Sequence, residues 1–202
     1  MESKVPANVS VDDFFKNFVP KQFVEVLGKL DVSAMAGKVF TVQFNDFLHL
    51  AKVNGRWKIV NVLWRPPVAQ PTAAASAETD AVKKALLDLR QAADAKEPDR
   101  AKHLIHPEII RRTYAAGTPG GKLVLQDVTG ETLLQIIRMG RAAIPADQPQ
   151  PEISVLDIYE NIASVRSSRP GGTEYTHLAL QNGQWRIVNM LATAFPPAGS
   201  AK

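Results

Sequence analysis

Two histidines raise the first chemical question in this 202-residue chain. His49 and His177 each open the same fifteen-residue stretch, HLAKVNGRWKIVNVL at 49–63 and HLALQNGQWRIVNML at 177–191. An imidazole could serve as acid or base, or touch a ligand, near neutral pH. Each stretch adds an amide, Asn61 or Asn189, and an indole, Trp57 or Trp185, that could stack a planar molecule. Ten of the fifteen positions are identical at a constant offset of 128, which marks an internal duplication.

Other groups could move protons: His106, Tyr114, Asp127, Asp157 and Tyr159. Proton abstraction beside a carbonyl needs a carboxylate base and a Tyr or acid donor converging in an apolar cavity. The sequence supplies the types and not the convergence. His106 precedes Pro107 at the end of a helical stretch and reads as a C-terminal cap. No catalytic residue is assigned. The chain has no cysteine, so thiolate and disulfide chemistry is excluded and a metal would have only His and carboxylates. No His/carboxylate metal spacing, Gly-rich phosphate loop or nucleophile elbow occurs, so neither metal nor cofactor is expected. The groups best typed for a small planar or apolar ligand are Tyr114, Thr176, Trp185 and Asn189.

These groups must be carried by strands. Asn54-Gly55 and Asn182-Gly183 fit the positive-φ positions of a two-residue hairpin turn. Unbroken alternation from that turn sets His49 opposite Val60, Asn61 opposite Leu48, His177 opposite Val188 and Asn189 opposite Thr176. One face then holds Trp57, Ile59, Asn61 and Leu63, matched by Trp185, Ile187, Asn189 and Leu191. The other holds His49, Val60, Val62 and Trp64, matched by His177, Arg186, Val188 and Met190. Both faces are partly apolar, so both require cover. The second face is expected to form a sheet-to-sheet contact, as an intramolecular pseudo-dimer or a homodimer. The histidines read as contact residues of that face, because the shorter first copy keeps His49 without enough chain to enclose a pocket. Asn61 and Asn189 read as hydrogen-bonded core amides.

The Pro- and Ala-rich stretch RPPVAQPTAAASAET at 65–79 reads as a linker. It separates a partial unit, 1–64, from a complete one, 80–196, with 197–202 as a tail. Helical spacing over Asp80 to Ala95, Pro98 at a helix start, Thr129 as a cap for a helix to about Ala143, and four strand-like stretches followed by the two strands of the hairpin give the order ααββαββββ in the second unit. The first unit retains a short helix capped by Ser10 with Phe14, Phe15 and Phe18, a strand over Gln22 to Val32, another over Val39 to Val53, and the hairpin's return. Its missing opening elements suggest truncation at the 5′ end of the gene.

The charge of +4 comes from scattered basic residues such as Lys83-Lys84 and Arg111-Arg112, not a patch, so nucleic acid is not an expected partner. No apolar run reaches membrane-helix length, and residues 1–10 lack an apolar leader, which suggests the cytoplasm if Met1 is the true start.

The order ααββαββββ resembles nuclear transport factor 2-like proteins. The stretch from Phe47 to Trp64 resembles the closing hairpin of the branch labelled "putative lumazine-binding", and His106-Pro107-Glu108 resembles that branch's His-Pro-acid step. The resemblance implies an α+β fold, a curved antiparallel sheet wrapped on helices like a cone, in tandem with a truncated first copy. It implies a small-ligand-binding or interaction module. The superfamily also includes ketosteroid isomerase-like and SnoaL-like enzymes, so a cofactor-independent isomerase, dehydratase or cyclase is the alternative, and a purely structural dimerisation module the third.

Overall fold

The computed structural model describes residues 23–27, 34–40, 45–53, 56–68, 76–116 and 123–194. The Ser10-capped segment with its three phenylalanines lies outside them.

The first sheet is an antiparallel meander of β1 (Phe23–Leu27), β2 (Ala34–Phe40), β3 (Asn45–Val53) and β4 (Arg56–Arg65), paired in chain order. The single strand expected over Val39 to Val53 is in fact two, β2 folding back on β3. Alternation continues through 40–44 without Gly, Pro or Asn, so nothing in the composition marks the reversal.

The second unit runs α1 (Ser76–Asp94), α2 (Pro98–Leu104), β5 (Ile105–Ala116), β6 (Leu123–Thr129), α3 (Gly130–Arg138), β7 (Glu152–Tyr159), β8 (Ile162–Arg169), β9 (Gly172–Gln181) and β10 (Gln184–Ala194). This is the expected ααββαββββ. The strand order is β6-β5-β10-β9-β8-β7, with β5–β10 parallel and every other pairing antiparallel. The helices cover one face of the sheet. Val82, Leu86, Leu89 and Ala93 of α1 share a core with Leu178, Trp185, Ile187 and Met190 of the sheet and with Leu133 and Ile137 of α3.

Helix ends follow local chemistry. The Thr129 side chain accepts a hydrogen bond from the Thr132 amide at 3.3 Å, as a cap should. α3 stops at Arg138, short of Ala143, because Gly140 adopts φ +70 and its amide turns back to the Ile137 carbonyl at 2.8 Å. His106 does not cap α2. Pro107 favours an extended residue before it, so the chain enters β5 at Ile105, and the His106 ring accepts from the Glu108 amide at 3.2 Å.

A bulge at the same place in both hairpins corrects the faces. The register runs as the turn dictates from Val53↔Arg56 to Leu50↔Ile59 and from Gln181↔Gln184 to Leu178↔Ile187. Val60 and Val188 are then extra residues, and His49 faces Asn61 while His177 faces Asn189. Every later residue changes sides. Asn61, Leu63, Asn189 and Leu191 join the histidine face. Met190 moves to the helix-side core, where it is buried. Val62 and Trp64 leave the expected contact face and are 40% and 60% exposed. Trp185 and His177 remain on opposite faces, because both lie before or across from the bulge.

Candidate functional site

The two sheets meet through their histidine faces. Phe47, Ala34, Ala36 and Ala51 of the first pack with Tyr159, Ile162, Tyr175 and Leu191 of the second. At the centre the rings of His49 and His177 stack, centroids 3.5 Å apart and planes inclined by 26°. Phe47 and Tyr175 occupy equivalent positions of the duplication. Phe47 lies 6.3 Å from His177, and Tyr175 lies 6.3 Å from His49. Reciprocal contacts of this kind are those of a two-fold interface.

Both histidines are fully buried. Burial holds the His177 imidazolium off, lowering its pKa to about 3. His49 is held well below its usual range by burial first, then by His177 and Arg112. The Arg112 guanidinium donates to Asn61 Oδ1, so the amide's Nδ2 is left to donate to His49 Nδ1, at 2.9 Å. That bond leaves the His49 proton on Nε2. His49 Nε2 and both ring nitrogens of His177 have no hydrogen-bond partner among the described residues. The two rings stack on one another and are closed off from solvent. They are contact residues.

The remaining acid–base candidates are spent on the same contact or lie outside it. Asp157 pairs with Lys38. Tyr114 donates to the Lys52 carbonyl, and the Tyr159 hydroxyl accepts from the Val68 amide at 3.0 Å. Asp127 pairs with Arg112 at 3.1 Å.

A cavity of about 390 Å³ opens on the other side of the large sheet, between it and the helices. Leu86, Leu89, Leu133, Ile137, Ile153 and Met190 supply its apolar wall. Its polar groups are Arg111 and Thr113 of β5, Ser167 and Arg169 of β8, Thr173 and Glu174 of β9, Thr193 of β10, with Arg90 and Arg141 from the helical side. Glu174 is the one carboxylate among the lining residues, and Arg111 Nε holds it at 3.1 Å.

None of Tyr114, Thr176, Trp185 and Asn189 lines this cavity. Tyr114 bridges the sheets, Trp185 is packed into the helix-side core, Thr176 is fully buried, and the bulge turns Asn189 to the far face. Of the expected contact-face residues, His49 and His177 meet, Val60 packs in the same cluster, and Arg186 pairs with Ala179 on that side. The arginine set was missed because its members are dispersed in sequence. The usable signal was alternation: Arg111 and Thr113 share one face of β5, while Arg112 and Tyr114 share the other.

Among the described residues no three His or acidic side chains cluster as metal ligands, and no helix is long and apolar enough to cross a membrane.

Residues 12–65 match the family described as "Putative lumazine-binding". No curated protein matches. Solved structures similar to this chain include a nuclear transport factor 2-like protein of unknown function from Silicibacter pomeroyi, at 16% identity over 60% of this chain and all of that one, with a TM-score of 0.45. Another, from Methylobacillus flagellatus, is 19% identical over 61% of this chain and 96% of that one, TM-score 0.47. A ketosteroid isomerase-like protein from Erwinia carotovora atroseptica is 14% identical over 61% of this chain and all of that one, TM-score 0.44. The matched segment contains the first of the two similar hairpins, so the likeness to the family described as "Putative lumazine-binding" is carried by residues 12–65.

Proposed function

We propose that this protein is a non-catalytic small-ligand-binding module whose own first unit serves as the partner of its second. The observation that carries the reading is the composition of the cavity. It has the size of a small-molecule site and a continuous apolar wall. Its lone carboxylate is already bound by Arg111, so it lacks the free base and the Tyr or His donor that proton transfer requires. The family described as "Putative lumazine-binding" is consistent with a planar occupant.

The reciprocal contacts around His49 and His177 support the second half of the proposal. They bury the face through which a separate copy would otherwise dock.

Native mass spectrometry of the gently purified protein tests the reading. One small molecule per chain is expected, absent from the cavity-filling variant Ile136→Trp. An adduct that survives in that variant overturns the assignment to this cavity. The same spectrum should show a single chain; a dimer mass would overturn the built-in partner.

A further inference from the structure

Four arginines, Arg90, Arg111, Arg141 and Arg169, share the cavity with one carboxylate. Two of them are matched: Arg111 holds Glu174, and Arg90 binds Asp94 at 2.8 Å from outside the lining. Arg141, in the turn after α3, and Arg169, at the end of β8, have no ion-pair partner among the described residues. Both are exposed and both line the cavity, so they stand at its mouth. The cavity is therefore apolar within and unbalanced toward positive charge at its rim.

We infer that the cavity takes an organic acid, with a planar or aliphatic body against Leu89, Leu133 and Ile137 and its carboxylate toward Arg141 and Arg169. A guanidinium is planar, always charged, and offers a fork of donors that matches a carboxylate. Glu174, held through one bond from Arg111 Nε, shows a guanidinium already binding a carboxylate in the same cavity. A neutral ligand of the same shape would use the apolar wall alone and leave the two rim charges unmatched.

This inference rests on the reading of the cavity as a ligand site, and the test separates the two. 2-Naphthylacetate and its uncharged isostere 2-naphthylacetamide are titrated into the full chain by calorimetry, in 50 and 500 mM salt. The acid is expected to bind at least tenfold more tightly than the amide at low salt, with the advantage shrinking at high salt. In the double variant Arg141→Gln/Arg169→Gln the acid should fall to the affinity of the amide. The amide itself should bind the variant as it binds the natural chain, which also shows that the variant is folded. Equal binding of acid and amide to the natural chain overturns the organic acid and leaves the ligand site standing. An acid preference that persists in the double variant overturns the role of the two arginines. Binding of neither probe, with Ile136→Trp indistinguishable from the natural chain, overturns the ligand site and the inference with it.

Discussion

Three buried titratable groups set how this protein should respond to acid. His49 and His177 are held neutral, His177 with its pKa lowered from 6.5 to about 3. Asp46, beside Phe47 on β3, is pushed the other way by burial, from 3.8 to about 7. Below about pH 6.5 the unfolded chain takes up a proton at each histidine that the folded chain refuses. Each histidine therefore removes about 1.4 kcal/mol of stability per pH unit. Asp46 opposes them. Between its ordinary value and about 7 the folded chain keeps a carboxyl proton that the unfolded chain has released, so this group favours folding as pH falls, again by about 1.4 kcal/mol per unit. Two against one leaves a net loss of about 1.4 kcal/mol per unit, or roughly 2 kcal/mol between pH 6.5 and 5, a window in which ordinary carboxylates contribute little. Stability should peak near pH 6.5–7. Urea unfolding followed by tryptophan fluorescence measures this directly. Asp46→Asn should double the loss across the window to roughly 4 kcal/mol, and His177→Gln should flatten it to near zero. If Asp46→Asn leaves the slope unchanged, or the natural chain gains stability toward pH 5, the reasoning from these three groups is wrong.

Other changes follow from contacts already described. Asn61→Leu leaves His49 Nδ1 without its donor and takes one of two partners from Arg112, which keeps Asp127, and should cost about 1–3 kcal/mol in chemical denaturation. Gly172→Ala would set a methyl 2.8 Å from the Thr193 carbonyl oxygen, backbone that cannot step aside, and should cost about 1–3 kcal/mol. Leu191→Ala, fully buried between the sheets, should cost about 2–5 kcal/mol, whereas Trp64→Ala should stay within about 0.5 kcal/mol because the bulge has turned that side chain outward. A large loss at Trp64 would show that its face is covered after all.

What the sequence made legible was whatever repeated or followed a local rule. The turn fixed four rungs of each hairpin, the helix spacing of Val82, Leu86 and Leu89 fixed the face of α1, and Thr129 announced α3. The bulge was not legible. Val60 and Val188 are ordinary β-branched strand residues, and an extra residue in a strand needs no glycine when the chain can absorb it as increased twist. One unread residue then misplaced every side chain beyond it, which is why Met190 and Leu191 exchanged faces and why Asn189 joined the histidine face. The turn between β2 and β3 was hidden for a related reason, since alternation survives the reversal. The cavity arginines were hidden because charge was read along the chain, and the sheet collects it across strands.

The duplication itself explains the histidine pair. In a two-fold contact, a side chain on the axis meets its own copy, while one off the axis meets a different residue. A position on the axis must therefore hold a group that tolerates itself. A neutral imidazole does, by stacking; a lysine or carboxylate would place like charges face to face. Off the axis no such restriction holds, and Phe47 and Tyr175 have diverged where His49 and His177 have not. Around the pair the symmetry is already broken. Asn61 is engaged by Arg112 from β5, a strand with no counterpart among the described residues of the first unit, and among the described residues His49 alone of the two histidines gains a hydrogen bond. The two rings, alike in sequence, are thus unlike in surroundings. The proposed built-in partner is an unequal one: among the described residues the first unit presents a sheet, and the second presents both a sheet and a cavity.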